Sequence, residues 1–135
     1  MAYGAKLAVL TAALFLSGAA FAVNCPNLSD IQAEGISHAA AINNQFYAGY
    51  GFSQFNTTSE WAFIMGYFEN VTELEAITRG NLILSTMTAP GVLDSNSSRV
   101  ICHYDTGNNN VFSLAVKDIF QILPMQMQEY LQYAH

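Results

Sequence analysis

The stretch that decides the fold is Gln45-Phe-Tyr-Ala-Gly-Tyr-Gly-Phe-Ser-Gln-Phe55, followed across Asn56-Thr-Thr-Ser59 by Glu60-Trp-Ala-Phe-Ile-Met-Gly-Tyr-Phe68. In its first half, Phe46, Ala48, Tyr50 and Phe52 alternate with Tyr47, Gly49, Gly51 and Ser53. That period of two turns successive side chains to opposite faces of a strand. In the second half Trp61, Phe63, Met65 and Tyr67 take one side, and Ala62, Ile64 and Phe68 the other. The Asn-Thr-Thr-Ser between them is turn chemistry. The pair reads as a β-hairpin that is apolar on much of both faces. Gly49 and Gly51 either mark a bulge or let another group approach the backbone closely.

Downstream, Thr72 and Glu75 have the spacing of a capping box, and Glu73 and Glu75 fall where a helix start favours negative charge. Leu74, Ile77, Leu82 and Leu84 supply an apolar stripe, and the helix must stop before Pro90-Gly91. Gly80 in its middle would permit tight packing against a sheet. Arg99 to Tyr104 and Val111 to Lys117 flank the polar loop Asp105-Thr-Gly-Asn-Asn-Asn110 and predict a second hairpin. Val100, Cys102 and Tyr104 then share a core face, matched by Phe112, Leu114 and Val116, while Arg99, Ile101 and His103 point away.

Upstream, Ser29 or Asp30 can cap a short helix that Gly35 ends or interrupts, with a resumption through His38 to Ile42. The tail from residue 118 to 135 is amphiphilic, carries Met125, Met127, Tyr130 and Tyr133, and predicts a short terminal helix after Pro124. The sum is an α+β fold, a small single domain. A four-stranded antiparallel sheet made of two hairpins packs on one main helix, with a short N-terminal helix added.

Residues 1–22 read as a signal peptide. Lys6 gives the positive start, Leu7 to Leu16 an uncharged apolar run, and Ala20-Phe21-Ala22 a small-x-small cleavage site. The alternative is an uncleaved anchor, but the 17 uncharged residues from Leu7 to Val23 sit at the bottom of the spanning range. Cleavage leaves residues 23–135 as one mature domain of about 113 residues, exported to the periplasm or beyond the cell, with no membrane contact thereafter.

That domain keeps three basic residues (Arg79, Arg99, Lys117) against ten acidic ones, a formal charge of −7. Nucleic acid binds through Lys and Arg, so it is an unsuitable partner. Cys25 and Cys102 both lie in the mature part, where export favours a single disulfide; two free thiols or a bond to a partner chain are the alternatives.

No catalytic constellation emerges. His103 adjoins Cys102, but neighbours on a strand face opposite sides and cannot act on each other. His38, His103 and His135 have no second ligand at metal-binding spacing. There is no Gly-x-Ser-x-Gly elbow, and no helix opens after Gly49-x-Gly51. No enzyme and no metal site are expected. The aromatic density stands out instead: nine aromatic residues fall within the 23 residues from Phe46 to Phe68. They are core and cross-strand pairs, or they line an apolar slot for a flat ligand, or they form a patch for a partner protein. A heme ligand would need an axial His or Tyr. The ligand-binding candidates are therefore His103, His38, Tyr50 and Tyr47, with Arg99 (or Arg79) to meet a propionate.

Cys25-Pro26 just after the leader, Trp61 opening a strand, the helix holding Ala76 and Leu82, and Cys102-x-Tyr104 together resemble a group of small exported Legionella proteins of unknown function. Some of these carry the label hemin-binding protein. The resemblance covers roughly residues 25–117 and implies a bacterial periplasmic or extracellular location. For the labelled members it implies hemin as ligand, without a ligand motif that transfers to particular positions here. Two functions are expected on this basis: an exported, non-enzymatic domain that binds hemin or another apolar ligand, or a periplasmic or secreted protein–protein interaction module with no small ligand.

Overall fold

The computed structural model describes residues 24–69, 71–94 and 98–134. The signal peptide expected at residues 1–22, and His135, lie outside the described residues. The elements, in chain order, are α1 (Leu28–Glu34), β1 (His38–Ala41), β2 (Phe46–Ser53), β3 (Trp61–Glu69), α2 (Glu73–Thr86), β4 (Val92–Leu93), β5 (Ile101–Tyr104), β6 (Phe112–Lys117) and α3 (Pro124–Tyr133).

The strands form one antiparallel sheet in the order β1-β2-β3-β6-β5-β4. The expected β2–β3 and β5–β6 hairpins are both present, joined side by side through β3 and β6. The sheet has six strands rather than four. The additions are the two edges, β1 and β4: His-Ala-Ala-Ala is poor in strand-forming residues, and Val-Leu is only two residues long. Alanine is a weak strand former, yet the segment expected to resume the helix at His38 to Ile42 is a β-strand, because pairing along the edge of β2 overrides local propensity.

Helices cover both faces. On the first, α1 and α2 enclose a core of Ile31, Ile36, Phe55, Trp61, Phe63, Met65, Phe68, Leu84, Cys102 and Tyr104. On the second, α3 closes over Ala48, Ile64, Ile101, Leu114 and Val116 with Met127 and Leu131. The second core corrects the expectation of one helix on one face: the amphiphilic tail is a structural layer. It also corrects the pairing of the second hairpin. Cys102 sits opposite Ala115 and Tyr104 opposite Ser113, whereas Phe112, Leu114 and Val116 belong to the other face together with Ile101.

A bulge accounts for a further reversal. Tyr47 pairs with Phe68 but Gly49 with Met65, so β3 carries one extra residue between those positions. Phe68 consequently joins the first core and Tyr67 packs on the second, opposite to simple alternation.

The capping box on α2 forms as expected: Glu75 N–H donates to Thr72 Oγ1 (3.2 Å) and Thr72 N–H to Glu75 Oε1 (3.3 Å). The buried stripe differs. It runs through Ala76, Gly80 and Leu84, while Leu74 and Leu82 are 72% and 67% exposed. The cause is how closely α2 approaches the segment after α1. A Cβ on Gly80 would lie 2.7 Å from Ile36 Cδ1, and Asn81 clasps the same residue, accepting from Ile36 N–H (2.7 Å) and donating to its carbonyl (2.9 Å). Gly49 and Gly51 serve the same approach, their open sides facing Ile36 and the Gly35 carbonyl. The cap of α1 is Asn27 rather than Ser29 or Asp30, and Gly35 ends the helix.

Cys25 and Cys102 form a disulfide, with Cα atoms 5.7 Å apart and 77 positions apart in sequence. It anchors the entering segment to β5. Beside the bridge, the buried Tyr104 hydroxyl donates to the Pro26 carbonyl (2.6 Å), and burial pushes that hydroxyl's pKa well above the ordinary tyrosine value.

Replacing both cysteines by serine should lower unfolding free energy by about 4 kcal/mol in urea denaturation, because the cross-link closes a long loop in the unfolded chain. Tyr104→Phe should cost about 1–2 kcal/mol by leaving the Pro26 carbonyl unpaired. It should also change the alkaline limb. With its pKa raised in the folded state, Tyr104 stabilises the protein fully below about pH 10, and that contribution falls as pH rises beyond it. Melting temperatures measured from pH 9 to 12 should therefore decline less steeply for Tyr104→Phe than for the unmodified protein.

Candidate functional site

One transverse row of the sheet contains both described histidines: His38, Tyr50, Ile64, Leu114, His103 and Val92 are successive cross-strand partners. Four strand spacings separate His38 from His103, roughly 19 Å. Helix α3 lies over the middle of the row, where Met127 and Leu131 are fully buried with Ile64 and Leu114. The two imidazoles flank this helix and cannot meet on a single ligand atom.

On the β1–β2 side, His38 is exposed and stacks on Tyr50 (ring centroids 5.3 Å apart, 19° between planes), and Tyr50 meets Phe52 edge-on at 5.7 Å. Ser37 Oγ lies 2.8 Å from His38 Nδ1. That contact orients the ring and directs Nε2 away from Ser37, the arrangement by which a second group fixes a ligating imidazole. Tyr50 and Phe52 are half-buried, so the three rings make a shelf with one open side. Tyr47 does not join it. It points to the other face and packs against the first core.

On the β5–β4 side, His103 Nε2 lies 3.0 Å from Asp94 Oδ2, and the ring stacks on Tyr133 of α3 at 6.3 Å. Tyr133 also borders a cleft of about 270 Å³ lined by Arg99, Ile101, Glu129 and Tyr130. The structure thus brings both His103 and Arg99 near Tyr133, away from His38 and Tyr50. Arg79 lies on α2, across the sheet from both histidines. Ligation through His103 Nε2 would require displacing the Asp94 carboxylate. Among the described residues no carboxylate pairs with His38.

The remaining aromatics are mainly core: Trp61, Phe63, Phe55 and Phe68 are at most 3% exposed. Their burial leaves the apolar-slot expectation to the rim rings alone. Nothing local in the sequence marks Asp94, which follows the two-residue strand β4, or Tyr133, whose partner depends on how the tail folds back. Ser37 was equally silent, because its role appears only once His38 is placed on a strand. Among the described residues no three His, Cys, Asp or Glu side chains gather to hold a metal ion, and no helix is long and apolar enough to cross a membrane.

No curated protein and no solved structure matches the chain. A family model does, across residues 24–130, which span α1 through most of α3. The chain belongs to the DUF4949 family, a domain of unknown function.

Proposed function

We propose that this protein is an exported, non-enzymatic binding domain whose ligand is flat and apolar, with hemin the specific candidate. The observation that carries the reading is the oriented, exposed His38 stacked on Tyr50 at the open edge of the sheet. His38 Nε2 would supply the nitrogen ligand to a bound hemin, and Tyr50 and Phe52 apolar contact beside it. The resemblance to small exported Legionella proteins, some labelled hemin-binding, supports the same ligand. The leader at residues 1–22 and the Cys25–Cys102 bridge support a periplasmic or extracellular location.

A second reading, a protein–protein interaction module without a small ligand, rests on a different feature. Phe120, Leu123 and Met125 are 70%, 66% and 74% exposed in the bend that enters α3. Such a cluster of large apolar side chains is a frequent mark of a partner surface.

Hemin titration into the purified mature protein, followed at the Soret band, separates the two readings. The ligand reading expects a saturable shift at micromolar hemin that weakens at least ten-fold in His38→Ala and persists in His103→Ala. Absence of a saturable shift, or an equal response from both variants, would sink the hemin assignment and leave the interaction module.

A further inference from the structure

At the end of the sheet where β3 begins, three segments enclose an open groove of about 940 Å³: residues 24–29, the turn 55–59 and residues 88–91. The volume lies within the range of small-molecule sites, about 300–1,000 Å³. Its chemistry is the reverse of the aromatic shelf. Asn24, Asn27, Asn56, Thr58 and Thr88 are exposed amides and hydroxyls, and among the described residues Lys117 is the only charged one in the lining.

The walls are fixed before any ligand arrives. Cys25 is held by the disulfide and Pro26 by Tyr104. The facing turn is organised by Thr57, whose hydroxyl donates to the Gln54 carbonyl (2.6 Å) and accepts from Trp61 Nε1 (3.0 Å) and Ser59 N–H (3.2 Å). This turn holds Phe55 and Asn56 at φ 47° and 60°, the left-handed region that a bulky side chain rarely enters. Phe55 is buried at 2% exposure, which anchors the unfavourable conformation and turns Asn56 into the groove. Strained backbone maintained by its surroundings concentrates at binding sites.

We propose that this groove binds an uncharged, polyhydroxylated ligand, a short oligosaccharide. Amides and hydroxyls both donate and accept, as sugar hydroxyls do, so they can pair with such a ligand without leaving a buried charge. One lysine cannot balance a polyanion, and the polar walls offer little to a lipid. An extended peptide is the poorer occupant, because peptides add to a sheet along an edge strand, and this groove lies across strand ends. The site is independent of the His38 shelf, from which it differs in both residues and chemistry.

The test is a titration of the ¹⁵N-labelled mature protein with chitotriose, maltotriose and, as the competing class, trialanine, recorded as amide chemical shifts. Saturable millimolar shifts with a sugar, confined to residues 24–29, 55–59 and 88–91, are expected. Asn56→Ala combined with Thr58→Ala changes two exposed side chains and should weaken that response at least ten-fold, with the remaining spectrum unchanged. No saturable shift with either sugar, shifts with trialanine alone, or sugar-induced shifts outside the groove would each overturn the proposal.

Discussion

The structure depends on one constraint, that β3 is buried on both faces. Trp61, Phe63 and Met65 point to one side and Ala62 and Ile64 to the other, all at 1% exposure or less. A strand of this kind cannot border water on either side, so it needs a layer above and a layer below. Helices α1 and α2 supply one and α3 the other. The bulge in β3 then decides which layer receives Tyr67 and which Phe68. The glycine in the middle of α2 follows from the same demand, since the helix must press onto the Ile36 segment to seal the first layer.

Much of this was legible where the signal is local. The β2–β3 hairpin, the Thr72–Glu75 capping box, the terminal helix after Pro124 and the Cys25–Cys102 bridge each depend on residue types at fixed short spacing, or on two cysteines with only each other to meet. What escaped depends on tertiary context. His38-Ala-Ala-Ala41 becomes a strand because β2 offers it an edge, not because of its own propensity. Leu74 and Leu82 look like core residues until the approach at Gly80 rotates the buried stripe onto Ala76 and Leu84. The faces of Tyr67 and Phe68 cannot be assigned without knowing of the bulge.

The site follows the same division. Individual residues with ligand chemistry, His38, Tyr50, His103 and Arg99, were recognisable by type. Their grouping was not, because it rests on strand order. The sheet places His38 and His103 in one row yet on either side of α3, and it sends Tyr47 to the opposite face. With Phe55, Trp61, Phe63 and Phe68 committed to the core, the proposed binding chemistry falls to the shelf beside β1 and to the polar groove across the strand ends. In a family without an assigned function, this separation of an apolar rim from a neutral polar groove gives two chemically distinct surfaces on one rigid sheet.

The C-terminal segment closes the second of the two cores, through Ile119, Met127 and Leu131. Thermal unfolding of a chain ending at Asp118, followed by near-ultraviolet circular dichroism beside the full-length protein, tests it most directly. Loss of the cooperative transition is the predicted result, since Ile64, Leu114 and Val116 would face water. An unchanged melting temperature with an intact aromatic signal would contradict it.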